Sequence, residues 1–205
     1  GFYKMAYATP LVVEVNGQTQ VISSGAEHVA GYDIQTGKEI WWHQYMGFSL
    51  VGRPSYGNGL FYVVGSVVLD HHCIYAIKPG ATGEVHETDL AWKQPKGIGH
   101  VPSPLLYGKE IYVVDDEGTA QCLDAMTGKP VWKQRLGGRF RSSPLQIGNH
   151  ILFVNQAGKA TLIQAGREYK VVQTNQLEGM FLASPAVADG ALFLRSATHL
   201  YCIAD

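Results

Sequence analysis

The feature that most constrains this chain is a repeat whose starts are marked by proline. Five short segments place a Thr, Arg or Ser before a proline, and the prolines are Pro10, Pro54, Pro104, Pro144 and Pro185. Successive prolines are 44, 50, 40 and 41 residues apart. A self-similar period of about 20–50 residues is typical of solenoids, propellers and other repeat folds. The 205 residues are therefore expected to form about five structural repeats.

Within each repeat, short apolar runs of strand length alternate with tight turns. In the third repeat, residues 111–114 read Ile-Tyr-Val-Val. A further run covers residues 119–124, and another begins near residues 131–132. Aromatic and β-branched residues bounded by Gly, Asn and Asp predict strands. No segment combines a sustained helical period with helix caps, so essentially no helix is expected. Four strands in about 40 residues predict one blade of a β-propeller.

The turn before the fourth strand carries the most specific pattern. Residues 123–132 read Leu-Asp-Ala-Met-Thr-Gly-Lys-Pro-Val-Trp, and residues 32–41 read Tyr-Asp-Ile-Gln-Thr-Gly-Lys-Glu-Ile-Trp. The Asp can accept hydrogen bonds from backbone amides that follow it, and the Gly permits a positive φ. The Trp offers a large apolar surface to a neighbouring blade. The predicted structural docking residues are Asp33, Gly37, Trp41, Asp124, Gly128 and Trp132.

This pattern resembles the tryptophan-docking repeat of the quinoprotein, or PQQ-like, β-propellers. The resemblance implies an all-β propeller of four-stranded antiparallel blades in one domain over residues 1–205. Four full blades and three strands of a fifth are expected, which makes 19 strands. Their approximate limits are residues 10–46, 54–95, 104–137, 144–177 and 185–205.

Family members usually have about seven or eight blades, so the chain resembles the C-terminal part of a longer propeller. We expect missing N-terminal blades or a second chain to close the ring. The relatives that it most resembles are non-enzymatic propellers such as the lipoproteins of outer-membrane assembly. This resemblance also implies a periplasmic or other extracytoplasmic location.

The resemblance leaves three functions open. The leading hypothesis is a non-catalytic binding or protein-interaction scaffold with no cofactor. The alternative is a PQQ-dependent alcohol or sugar dehydrogenase, which would need calcium, a catalytic Asp and a vicinal cysteine pair. Cys73, Cys122 and Cys202 are not adjacent, so that pair is absent from this sequence. The third hypothesis is an extracytoplasmic sensor domain.

Net charge, hydropathy and residue spacing exclude several classes of partner and site. The formal net charge is −1, which gives no strong field toward nucleic acid. No apolar run reaches the roughly 18 residues of a membrane span. We also expect no metal site, because His71 and His72 would face opposite sides of a strand and residues 115–118 lack distal calcium ligands.

The segments that precede each proline are the candidate binding surface. In a propeller these linkers run inward and line the central funnel, and here they are rich in aromatic, Met and cationic residues. Such a surface suits a protein or peptide partner, or an anionic small molecule. The alternative is that these side chains pack between blades and that the arginines pair with acidic neighbours. The predicted funnel residues are Phe48, Arg53, His100, Arg139, Phe140, Arg141 and Phe181.

Overall fold

The computed structural model describes residues 5–47, 50–68 and 71–204, apart from the side chains of residues 67, 68 and 71. The described residues form short strands and one short 3₁₀ turn, Glu87–Asp89. The strands are β1 (Leu11–Val15), β2 (Gln18–Ser24), β3 (His28–Asp33), β4 (Glu39–Gln44), β5 (Ser55–Gly57), β6 (Leu60–Val68), β7 (His71–Ile77), β8 (Gly83–Glu84), β9 (Trp92–Gln94), β10 (Leu105–Tyr107), β11 (Glu110–Val114), β12 (Thr119–Asp124), β13 (Pro130–Arg135), β14 (Leu145–Ile147), β15 (His150–Val154), β16 (Lys159–Gln164), β17 (Val171–Gln176), β18 (Ala186–Ala188), β19 (Ala191–Arg195) and β20 (Leu200–Ile203).

These strands form five sheets, one for each repeat. The third and fourth sheets are simple four-stranded antiparallel meanders, β10–β13 and β14–β17. The last sheet has the three strands β18–β20. The expected all-β, blade-type fold is therefore confirmed, because sequential hairpins account for nearly all the pairing.

The second repeat departs from the expected pattern because its longer third connection forms an extra strand. The two-residue strand β8 leaves its own repeat and pairs in parallel with β4 of the first sheet, with Trp41 opposite Gly83. The Val85 amide donates to the Trp42 carbonyl over 2.8 Å and extends this pairing. The described residues thus contain one strand more than the 19 expected, and the outer edge of β4 is partly covered.

The chain divides into two compact units. The N-terminal unit comprises Gly1–His100 with Ala125–Lys129, and the C-terminal unit comprises Val101–Asp124 with Pro130–Asp205. In the N-terminal unit, an apolar core packs Trp41, Phe61 and Tyr75 among aliphatic side chains. In the C-terminal unit, one core surrounds Tyr112 and Phe153, and a second lies around Phe181.

A register shift recurs just before the corner in three sheets. The shifts fall between Gly31 and Tyr32, between Cys122 and Leu123, and between Leu162 and Ile163. A bulge of this kind bends a strand and redirects its side chains. In the first and third sheets the redirected fourth strand carries Trp41 or Trp132.

Candidate functional site

The two arginines of the third linker are paired with carboxylates of the β11–β12 turn. Arg141 contacts Asp116 at 2.6 Å, and both side chains are about two-thirds to three-quarters covered. Arg139 contacts Glu117 at 3.4 Å in a solvent-exposed pair. Exposed pairs contribute little stability, whereas a covered pair with a short contact is held more firmly. The geometry thus agrees with the alternative in which the arginines pair with acidic neighbours. The two cations do not form an uncompensated positive patch.

The linker phenylalanines lie inside the protein. Phe140 is 2% exposed in one core of the C-terminal unit, and Phe181 is 1% exposed in the other. Their amides donate to the carbonyls of Asp116 and Gln156, which holds each linker against the preceding turn. Rings that are covered in this way do not fit the expected role of contacting a ligand.

The linkers of the N-terminal unit hold the remaining predicted funnel residues. Arg53 is exposed, and the half-buried His100 stacks on His72 with ring centroids 4.6 Å apart. Phe48 lies outside the described residues. Of the predicted funnel residues in this unit, the structure thus describes an exposed arginine and a histidine that stacks on a residue of β7.

A small cleft in the C-terminal unit lies beside the linker that contains Phe181. Its volume is about 160 Å³, and Met180, Leu182 and Arg195 contribute to its lining. Met180 and Leu182 flank Phe181, so alternation along an extended linker buries the ring and exposes its two neighbours. That alternation is the sequence signal that could have identified them. Among the described residues, no acidic side chain pairs with Arg195.

Contacts at the corners depend on the tryptophans of the fourth strands. Trp92 donates from Nε1 to the Ala125 carbonyl over 2.9 Å, and its ring covers the backbone of Gly128. Trp132 donates to the Gly166 carbonyl over 3.2 Å, and the Gly166 amide donates to the Tyr112 hydroxyl over 2.7 Å. Each of these tryptophans thus contacts a corner that lies about one repeat further along the chain.

Trp41 behaves differently from the other two tryptophans. It is 1% exposed, and its Nε1 donates to Gln20 in its own sheet over 3.1 Å. Its ring lies over Gly31, where a Cβ would collide with the indole, and 5.4 Å from the Phe61 ring. Trp41 therefore packs in the core of the N-terminal unit, and its Nε1 donates to a side chain and not to the carbonyl of a corner.

The aspartates at both corners accept hydrogen bonds. The Asp33 carboxylate accepts hydrogen bonds from Gln18 Nε2, from the Thr36 hydroxyl and amide, and from the Gln35 amide. These donors, the Gln18 amide group first, lower the pKa of Asp33 to about 2. Asp124 accepts a hydrogen bond from Arg167 at 3.0 Å.

The cysteines and the possible metal-binding side chains of the described residues bear on two expectations from the sequence. All three cysteines are free thiols, and no three described His, Cys, Asp or Glu side chains are grouped to hold a metal ion. No described helix is long and apolar enough to cross a membrane.

Comparison with known proteins finds a matching family model and several relatives. Residues 73–168 match the family model described as outer membrane protein assembly factor BamB. The BamB of Marinobacter adhaerens is 32% identical over 164 residues, which cover 75% of this chain and 38% of that protein. The tetrathionate hydrolase of Acidithiobacillus ferrooxidans is 26% identical over 202 residues, covering 87% of this chain and 40% of that protein.

The crystal structure of BamB from Moraxella catarrhalis aligns with a TM-score of 0.49 and 12% identity, covering 93% of this chain and 70% of that one. The chain spans about two fifths of the length of the two curated relatives described above. The repeat, the blade-type sheets, the match to the BamB family model and the similarity to the Marinobacter BamB support a PQQ-like, BamB-like family of propeller repeat proteins.

Proposed function

We propose that the chain is part of a non-catalytic, extracytoplasmic propeller that binds another protein. The observation that carries the proposal is the cleft of Met180, Leu182 and Arg195. Met180 is 46% exposed and Leu182 is 48% exposed, although both belong to a linker whose central ring is buried. Exposed Met side chains beside an arginine are enriched at protein interfaces.

The pairing of Arg139 and Arg141 favours a protein partner over a small anion. A small anion would have to compete with Asp116 and Glu117 for the two guanidinium groups. A protein can instead bury the apolar side chains of the cleft and place a carboxylate against Arg195. The BamB relatives, which are named as factors of outer membrane protein assembly, support a partner in that process.

Site-specific photo-crosslinking in cells that contain the whole protein tests this proposal. A photoreactive residue at position 182 should yield a crosslink to a protein of outer-membrane assembly. The same residue at position 34, where Ile34 is exposed to a similar degree, should not. The double variant Met180→Asp, Leu182→Asp should weaken partner binding at least about tenfold, whereas Ile34→Asp should not. Equal crosslinking at both positions, or binding that survives the double variant, contradicts the proposal.

The dehydrogenase alternative has its own test. Full-length protein supplied with pyrroloquinoline quinone and calcium should show no dye-linked oxidation of alcohols or sugars above background. Activity that depends on added quinone would replace the scaffold proposal, because it would place the cofactor ligands elsewhere in the protein.

A further inference from the structure

A polar cleft in the N-terminal unit has no part in the function proposed above. It has a volume of about 350 Å³ and lies where the connection around β8 packs beside the end of β4. The end of β4 supplies His43 and Tyr45, the second sheet supplies Tyr75 and Lys93, and the connection supplies Glu84. The cleft therefore exists because β8 leaves its own repeat and pairs with the first sheet.

His43 lines this cleft with one ring nitrogen unsatisfied. The residue is 4% exposed, and its Nδ1 lies 2.7 Å from the Val85 carbonyl oxygen. A carbonyl only accepts hydrogen bonds, so Nδ1 carries the proton and Nε2 presents a lone pair. Nε2 is buried and has no hydrogen-bond partner among the described residues. Burial also lowers the pKa of His43, which keeps the ring neutral near pH 7.

Buried polar atoms are nearly always hydrogen-bonded in folded proteins. The Val85 carbonyl occupies one ring nitrogen at the wall of the cleft, so Nε2 is the ring atom left for an occupant. That occupant must provide an N–H or O–H donor. A carboxylate has no such proton to give near neutral pH, and a phosphate, which keeps one P–OH group, brings further negative charge.

The charges of the cleft favour a cationic donor. Lys93 pairs with Glu87 at 2.8 Å, so these two charges largely cancel. Glu84 is left with the His86 ring, 3.5 Å away, as its neighbour. Counting Glu84, Glu87 and Lys93, the ionised groups around the cleft sum to one negative charge. A monocation would neutralise it.

The aromatic walls suit the same class of ligand. Tyr45 and Tyr75 are stacked with centroids 5.8 Å apart and nearly parallel planes. The Lys93 ammonium already lies 5.3 Å from the centre of the Tyr75 ring, so this ring accepts an ammonium group at its face. The tyrosine surfaces would cover the alkyl part of a ligand.

We propose that this cleft binds a primary ammonium group. One N–H donates to His43 Nε2, the positive charge faces Glu84, and the alkyl chain lies along the tyrosines. The ammonium group belongs either to a small free amine or to a lysine side chain of another protein. The ammonium group of Lys93 already lines the cleft, and its positive charge repels a cationic ligand.

Titration of the chain with n-butylammonium, followed by the ¹⁵N shift of His43 Nε2 and by calorimetry, tests the proposal. The shift should move toward that of a hydrogen-bonded acceptor, and neutral n-butanol should bind at least about tenfold more weakly. His43→Phe should weaken binding about tenfold and Glu84→Gln about threefold to fivefold, with His150→Phe and Glu14→Gln as matched controls that leave it unchanged. Lys93→Met should strengthen binding about threefold, because it removes the competing charge and keeps the apolar length.

Three results would overturn the proposal. They are an unchanged Nε2 shift in the wild-type chain at saturating amine, butanol binding as strong as that of the amine, and an Nε2 shift already typical of a hydrogen-bonded atom without ligand. The last result would mean that a buried water fills the site. The wild-type titration is decisive even if His43→Phe fails to fold.

A second probe, Nα-acetyl-lysine methylamide, distinguishes the two sources of the ammonium group. If it shifts Nε2 as butylammonium does, the cleft accepts a lysine side chain of a protein. If only butylammonium shifts Nε2, the walls exclude a peptide backbone and the ligand is a small amine. Each of these results supports the ammonium site and assigns its source.

Discussion

The two corners with nearly the same sequence, residues 32–41 and residues 123–132, have different surroundings. Gly37 and Gly128 have almost identical backbone angles, with φ of 68° and 69°. A Cβ at Gly37 would meet no described atom within 4 Å, whereas a Cβ at Gly128 would collide with the Trp92 ring. The motif therefore encodes the turn, and at Gly128 a tryptophan from the preceding repeat covers it.

The tryptophans at the ends of these corners should show the largest effects. Replacing either with alanine removes a large side chain from a packed site, which costs about 3–5 kcal/mol. Trp41→Ala should lie at the upper end, because Trp41 is fully buried and Trp132 only partly so. Urea unfolding measures both, with the exposed Ile34→Ala as the control. A cost below about 1 kcal/mol for Trp132→Ala would refute its role in holding the next corner.

The corner glycines give a matched pair that isolates the tryptophan contact. Gly37→Ala meets only the strain of a positive φ, about 1 kcal/mol. Gly128→Ala meets the same strain and also displaces the Trp92 indole, so it should cost about 2–4 kcal/mol in unfolding free energy. Thermal or urea unfolding of the two variants measures the difference. Equal costs would show that the Trp92 contact adds nothing to the corner.

The smallest effect is expected from the corner carboxylate of Asp33. Its folded pKa of about 2 lies below the ordinary value of 3.8, so the folded state favours the ionised form. The resulting stabilisation is present above about pH 4 and is lost as the pH falls toward 2. Asp33→Asn should therefore lower the melting temperature at pH 6 more than at pH 2.5. Glu39→Gln is the control, and a pH-independent effect of Asp33→Asn would assign its role to the shape of the turn alone.

Local and repetitive features were predictable from the sequence. Strand runs, turn glycines and the five sheets follow from periods of two residues and about 40 residues. The proximity of Trp132 to the next corner, at Gly166, follows from the same repeat. Phe181 and its exposed neighbours could also have been read from alternation, because a linker that crosses a core buries every second side chain.

Other features depend on contacts that the sequence does not specify. Strand β8 has only two residues and no apolar pattern, so its parallel pairing with β4 becomes visible only when the two sheets are in place. The unsatisfied nitrogen of His43 follows from that pairing. Similarly, the Arg-Phe-Arg sequence of the third linker indicates two cations, but not that Asp116 and Glu117 come within reach of them.

The parallel pairing of β8 with β4 also affects how this region unfolds. Blades of a repeat protein usually interact through their faces, so each adds its own stability and a nearest-neighbour contribution. Here the connection between β7 and β9 supplies the fifth strand of another sheet. Loss of the second sheet would therefore remove backbone hydrogen bonds from the first, and the two should melt as one cooperative block in native-state hydrogen exchange.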